Sequence, residues 1–284
     1  MPQVQECRLV CFDQQQSNQP FQLLLSRRLN QQGVYLGRLN KEEQQGLFEA
    51  SVADLNVTAF RLHSVMDKSV SRLAQHFAYK QFQFACISGP DWLLAVAIAD
   101  VRYVCSGFAY LYQQGKPTRE FARLAPLGFG CLLSDSPQHG EASMGKGSTQ
   151  WQINCAPTGW TLRVQAGGLV ADLRLDFDQQ QPLALAAPTG YNGWTYTQKH
   201  NALPLTGQLQ YRGRELDLTQ ALGGYDFSAG YMRRETSWRW GSISARLPQG
   251  LFGLNLACGV NETGTTENCL WLNGEKQLLE PVSI

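Results

Sequence analysis

The densest gathering of polar and aromatic side chains in this sequence lies between Tyr225 and Trp240, where Asp226, Tyr231, Arg233, Arg234, Glu235, Trp238, Arg239 and Trp240 fall close together. If Thr236 to Trp240 is a strand, alternation puts Trp238 and Trp240 on one face and Ser237 and Arg239 on the other. Two indoles beside Arg233, Arg234, Glu235 and Asp226 supply what a small-molecule pocket needs, an aromatic wall with a few placed polar groups. The same residue types also describe a tryptophan core rimmed by ion pairs, and the sequence leaves both readings open. Lys80 beside Phe82, and Tyr191, Lys199, Asn255, Glu267 and Asn268, carry the same two readings.

Other chemistries are poorly served. Gly140-x4-Gly145-Lys146-Gly147 falls one residue short of a phosphate-binding loop, because Gly147 stands where a Ser or Thr must hold magnesium, and the segment leads into a strand-like stretch rather than a helix. No G-x-S-x-G elbow is present. Glu235, Glu262 and Glu267 could be paired on paper as glycosidase acids, but only a fold can set their separation. The four histidines are scattered without metal-binding spacing, and Cys7-x3-Cys11 has no second pair to complete a zinc site. No metal or cofactor is expected.

The elements that must position these residues are mostly strands. Gln81 to Phe84 alternates, Trp92 to Ala99 is a short apolar run bounded by Gly-Pro-Asp and Asp100, and Val101 to Tyr112 is rich in aromatic and β-branched residues. Trp151 to Phe177 reads as a half-buried antiparallel meander, with Leu169, Ala171, Leu173 and Leu175 on one face and Val170, Asp172, Arg174 and Asp176 on the other. Further strands are expected near 194–197, 205–211, 215–218, 236–246, 252–260, 267–272 and 276–282, with short strands at Phe21 to Leu25 and Val34 to Leu39. Asn273-Gly274 is the strongest hairpin signal, since both positions tolerate positive φ. The spacing of Leu62, Val65, Met66, Val70, Leu73 and Phe77 predicts one helix over 62–78, with Asp67 as a cap. Ser134 to Gln150 reads as a polar loop and Asp178 to Gly190 as a linker. The fold class is mainly β, two tandem barrels or sandwiches, 1–184 and 185–284.

Composition agrees with a globular chain. Its 284 residues carry 24 Lys+Arg against 23 Asp+Glu, and 17% are charged against a usual ~25%. A net charge of +1 gives no reason to expect nucleic acid or an anionic membrane as partner. Trp92 to Ala99 falls far short of the ~20 apolar residues of a spanning helix. The opening residues lack a secretory pattern. The eight cysteines sit largely among apolar neighbours, so reduced thiols and a cytoplasmic location are expected.

The segments Lys80-Gln81-Phe82, Trp92 to Tyr112, Tyr196-Thr197-Gln198-Lys199, Asp226-x3-Gly230, Thr236 to Trp240, Gly253-Leu254-Asn255-Leu256 and Glu267-Asn268 resemble the bacterial family of domain of unknown function 2804, over most of the chain from about residue 54. More distantly, the order of Asp…Gly, Trp-x-Trp and a strand ending Leu-Pro-Gln-Gly is similar to the two-barrel lipocalin-like proteins, which include carotenoid 1,2-hydratase and tocopherol cyclase. That resemblance implies two lipocalin-like barrels with a pocket at a barrel mouth or between them, and adds Tyr196 to the candidate ligand-binding residues Lys80, Lys199, Arg234, Trp238, Trp240, Asn255, Glu267 and Asn268. It also implies a longer chain, so that the second barrel here would lack closing strands. In hydratase-like relatives an acid near Trp-x-Trp protonates an alkene. Glu235 is the nearest match and Asp226 the next, although Arg233-Arg234 departs from the pattern and would depress a carboxyl pKa rather than raise it. Three functions stay open: binding of a small apolar or amphipathic molecule such as a lipid or isoprenoid, cofactor-independent hydration, cyclisation or isomerisation of one, and carbohydrate binding on exposed aromatic platforms. Oligomeric state is not readable.

Overall fold

The computed structural model describes residues 10–14, 46–48, 50–52, 55–177, 181–233, 235–259 and 265–283. Its first half contains β1 (Val10–Gln14), β2 (Gly46–Phe48), α1 (Arg72–Ala78), β3 (Lys80–Ser88), β4 (Trp92–Asp100), β5 (Val104–Gln113), β6 (Arg119–Pro126), β7 (Cys131–Leu133) and β8 (Gly140–Lys146). There follow β9 (Thr149–Ala156), β10 (Gly159–Ala166), β11 (Leu169–Asp176), β12 (Leu183–Thr189), β13 (Gly193–Leu203), β14 (Leu205–Tyr211) and β15 (Arg214–Glu215). The chain closes with β16 (Leu222–Gly230), β17 (Trp238–Leu247), β18 (Gly250–Cys258), β19 (Cys269–Leu272) and β20 (Glu275–Leu278). The expected strands at 21–25 and 34–39 lie outside the described residues.

Three antiparallel sheets form layers. The middle one has the order β2-β12-β13-β16-β3-β4-β5-β6, one outer sheet runs β15-β14-β11-β10-β9-β8-β7, and the other runs β1-β17-β18-β19-β20. None of the three closes into a barrel; the sheets stack as sandwiches. β12 runs across residue 185 and β16 inserts between β13 and β3, so strands from both sides of that position share the middle sheet.

Alternation explains the layering. In the seven-stranded sheet Trp151, Ile153, Cys155, Trp160, Leu162, Val164, Leu169, Ala171, Leu173 and Leu175 are buried, while Val170 and Asp172 face water. The middle sheet is covered on both faces, and every residue of β13 is buried. Ile87, Leu94, Val96 and Ile98 point into the large core shared with the seven-stranded sheet. Phe84, Ala95 and Ala97 point the other way, where Trp240 of β17 packs edge-on to Phe84. Gly223 and Gly224 on β16 make the close stacking possible. A Cβ on the first would lie 2.2 Å from Leu175 Cδ2, and on the second 2.1 Å from the Asn201 Oδ1.

Several expectations are corrected. The helix is confined to Arg72–Ala78, capped by the Ser71 side chain accepting from Ala74 N–H at 3.1 Å. Residues 62–70 form a small hairpin instead, with Val70 N–H donating to Leu62 O and Ser64 N–H to Lys68 O. Asp67 sits in its turn at φ 54°, and Val65 and Met66 are 78% and 75% exposed. The predicted loop at 134–150 contains β8, whose Ala142 and Met144 are buried against the core. The predicted linker at 178–190 contains β12, buried from Leu183 to Ala187. A strand covered on both faces loses the apolar-polar alternation by which sequence reveals it. Cys105 on β5 and Cys131 on β7 are joined by a disulfide across 6.5 Å between Cα atoms, correcting the expectation of uniformly reduced thiols, whereas Cys86, Cys155, Cys258 and Cys269 are free. Among the described residues no helix is long and apolar enough to cross a membrane.

Candidate functional site

Between the middle sheet and β17–β18 lies a cavity of about 700 Å³. That volume is within the ~300–1,000 Å³ usual for small-molecule sites. Its wall is apolar, carried by Phe82, Phe84, Phe108, Tyr110, Trp238 and Trp240. Alternation along β17 turns both tryptophans inward, and Arg239 between them is exposed. Lys80 and Arg233 line the more open part, where Lys80 Nζ donates to Arg233 O at 2.9 Å.

Three charged residues on the lining, Lys199, Asp226 and Glu267, are buried. Lys199 on β13 pairs with Asp226 directly across the β13–β16 ladder, and its ammonium donates to Asp226 Oδ2. Glu267 Oε2 reaches the same ammonium at 3.1 Å. The second oxygen of Asp226 accepts from Ser228 Oγ at 3.0 Å and from Thr197 Oγ1 at 3.3 Å. Lys199 Nζ also lies 5.6 Å from the centre of the Trp240 ring, within cation–π range. Burial alone would lower the Lys199 pKa; the charges of Asp226 and then Glu267 overcome it and hold the ammonium above its ordinary value. One ammonium thus sits between two carboxyl side chains at the floor of the cavity.

Glu267 precedes β19 and is pinned by amides rather than by a ladder. Asn255 Nδ2 donates to Glu267 O at 2.7 Å, while its Oδ1 accepts from Trp240 Nε1 at 2.8 Å. Asn268 Oδ1 accepts from Ala257 N–H at 2.7 Å and its Nδ2 donates to Glu280 O at 3.2 Å. Asn255 and Asn268 therefore fix the chain that presents Glu267.

Of the residues singled out in the sequence, Lys80, Lys199, Asp226, Trp238, Trp240 and Glu267 come together on the cavity wall. Tyr196 points to the opposite face of the middle sheet, where its hydroxyl accepts from Val52 N–H and donates to Gln198. Glu235 is exposed and is not on the lining, and Arg234 lies outside the described residues. Sequence reasoning missed Thr197 and Ser228, the clamp on Asp226. A strand assignment for Leu222–Gly230 would have found Ser228 by its two-residue spacing from Asp226. Among the described residues no group of three His, Cys, Asp or Glu side chains is placed to hold a metal ion.

A layered antiparallel β fold with a deep aromatic cavity floored by a buried Lys–Asp–Glu cluster is the class of protein defined here. The family model described as "Domain of unknown function (DUF2804)" matches residues 35–284, and the chain belongs to that family. No curated protein matches. A solved structure from Nitrosomonas europaea, described as a candidate AttH, is similar at 13% identity and a TM-score of 0.43, covering 72% of this chain and 68% of that one.

Proposed function

We propose that this protein binds a small amphipathic molecule, of lipid or isoprenoid size, in the 700 Å³ cavity, with its polar end at Lys199, Asp226 and Glu267. The observation that carries the reading is the pairing of an aromatic wall with a buried Lys199–Asp226–Glu267 cluster at one end, Lys80 and Arg233 lining the more open part. A carboxylate head would meet two carboxylates at that cluster. A hydroxyl head can accept from Lys199 and donate to Glu267, so an alcohol is the favoured ligand class. The sugar-platform alternative finds little support, because Trp238 and Trp240 line the cavity and Trp271 is fully buried, its Nε1 donating to Gln181 O.

The proposal includes a cytoplasmic setting and no nucleic-acid partner, in line with the free thiols of Cys86, Cys155, Cys258 and Cys269 and the net charge of +1. The Cys105–Cys131 bridge argues the other way, and thiol counting on protein from its native source decides the compartment. Native mass spectrometry of the purified protein, followed by organic extraction, tests the main reading. A stoichiometric apolar alcohol is expected. An empty protein whose tryptophan fluorescence ignores a panel of long-chain alcohols, carboxylates and amines sinks it. Turnover of a bound alkene that disappears in Asp226→Asn would replace binding by acid–base catalysis.

A further inference from the structure

The cavity between the middle sheet and β17–β18 carries charge in two places. Among the described residues its charged lining side chains are the buried Lys199, Asp226 and Glu267, together with Lys80 and Arg233. Arg233 is exposed and Lys80 half-buried, so these two mark the solvent end. Lys80 opens β3, and Arg233 follows β16.

The β16–β3 register measures how far apart the two ends stand. Asp226 lies opposite Phe84, and Gly230 opposite Lys80. Lys80, Phe82 and Phe84 alternate onto one face of β3, and all three line the cavity. Lys80 is thus displaced from the level of Asp226 by the four residues from Phe84 to Lys80, about 13 Å at roughly 3.4 Å per residue. The strip between them is apolar: Phe82 and Phe84 on β3, with Ala99 of β4 opposite Phe82. Trp240 closes it from the other wall, edge-on to Phe84 at 5.6 Å.

Hydrogen bonds fix the backbone at the solvent end. Tyr231 N–H donates to Trp194 O at 2.7 Å, and Tyr231 O accepts from Thr189 Oγ1 at 2.7 Å, which ties the segment after β16 to β12 and β13. Lys80 Nζ donates to Arg233 O at 2.9 Å, so the ammonium is held beside the residue that bears the guanidinium. Two like charges on one wall repel each other and favour an anion next to them. A guanidinium fork matches the two oxygens of a carboxylate. Glu235, two residues beyond Arg233, is exposed and is not on the lining.

From this geometry we infer that the ligand has two polar ends, a hydroxyl at Lys199 and Glu267 and a carboxylate at Lys80 and Arg233, joined by an apolar chain. An extended chain of about ten carbons, with bonds of roughly 1.5 Å, covers the separation. The inference rests on the amphipathic reading of the cavity and narrows its ligand class from an alcohol to an ω-hydroxy acid. The carboxylate stays at the solvent end, where it keeps part of its hydration. Ion pairs so exposed contribute modestly and are screened by salt.

Calorimetric titration of decanol, ω-hydroxydecanoate and decanoate into the full chain tests the inference. At low ionic strength the hydroxy acid is expected to bind at least about fivefold more tightly than decanol. Decanoate should bind more weakly than decanol, because its methyl end meets the charged floor. In a chain carrying both Lys80→Met and Arg233→Met, the advantage of the hydroxy acid over decanol should fall below about twofold. Should that chain fail to fold, a salt series on the parent gives the same test: the advantage should shrink at least about threefold between roughly 0.01 M and 1 M salt. Equal affinity of hydroxy acid and decanol in the parent, or an advantage that survives the substitutions or the salt, overturns the inference. The amphipathic reading then stands as long as decanol binds. Decanol that does not bind, or decanoate that binds more tightly than decanol, overturns both.

Discussion

Lys199 and His200 are consecutive on β13 and both are buried, yet one is held charged and the other neutral. The difference lies in what each face of the middle sheet receives from its partner layer. Toward β17–β19, Lys199 meets Asp226 and Glu267, and two nearby carboxylates outweigh the desolvation of an ammonium. His200 meets the Asn201 carbonyl and the Trp271 ring and, among the described residues, has no carboxylate beside it, so desolvation, helped by the charge of Lys276, wins. Burial by itself discharges a base; burial beside placed opposite charge preserves it. The same alternation thus separates a held ammonium from a neutral imidazole by a single residue.

The largest test of this contrast is Lys199→Met. It leaves two buried carboxylates without their cation and is expected to cost about 3–5 kcal/mol in urea unfolding near neutral pH. Adding Asp226→Asn to that variant should recover much of the loss. A cost below about 1 kcal/mol for Lys199→Met would mean that the cluster does not hold its charges as described.

The opposite face gives a pH signature. Because folding lowers the His200 pKa from 6.5 to about 3, the unfolded chain takes up a proton in that window and the folded one does not. Stability from this group is complete above pH 6.5 and is lost as pH falls toward 3, by up to about 1.4 kcal/mol per pH unit. The stability gap between the parent and His200→Phe should therefore shift against the parent by roughly 2–3 kcal/mol from pH 6.5 to 4.5. A constant gap would show that His200 protonates normally.

Trp240→Phe keeps the cavity wall but leaves Asn255 Oδ1 without its indole donor, at an expected cost of about 1–3 kcal/mol. The smallest effect concerns the irregularity that ends the β13–β16 register, where Ala202 sits at φ 59°. Ala202→Gly should change stability by less than about 1 kcal/mol, in the stabilising direction, because glycine adopts that conformation freely but loses more entropy on folding. Thermal unfolding of both variants measures each.

Much of this arrangement is legible in the sequence, and the exceptions have a common cause. The meander from Trp151 to Phe177 has one wet face, so its strands announce themselves by alternation. Trp238 and Trp240 share a face for the same reason. β12 and β16 lie inside a layer covered on both sides, and small residues such as Gly223 and Gly224 permit the stacking, so β12 reads as a linker and β16 is missing from the expected strands. The charged residues of the cavity were visible as types, and Lys199 and Asp226 as members of the set, but their pairing needs the β13–β16 register. His200 carried no sequence signal, since its meaning comes from a hydrogen bond to the next residue and a partner missing on the other nitrogen. The separation of Tyr196 from the cavity is likewise a matter of face, one residue out of phase with Lys199 and Thr197.

The central claim is that the cavity between the middle sheet and β17–β18 takes an amphipathic molecule with its polar end at Lys199, Asp226 and Glu267. The most direct measurement is calorimetric titration of a long-chain alcohol, and of the carboxylate with the same tail, into the parent chain and into Ala99→Trp. Ala99 lines the cavity, so the indole fills it while the charged cluster is untouched. One-to-one binding of the alcohol, at least tenfold weaker binding of the carboxylate, and loss of both in Ala99→Trp is the predicted result. Binding that survives Ala99→Trp, or a carboxylate that binds more tightly than the alcohol, would contradict it.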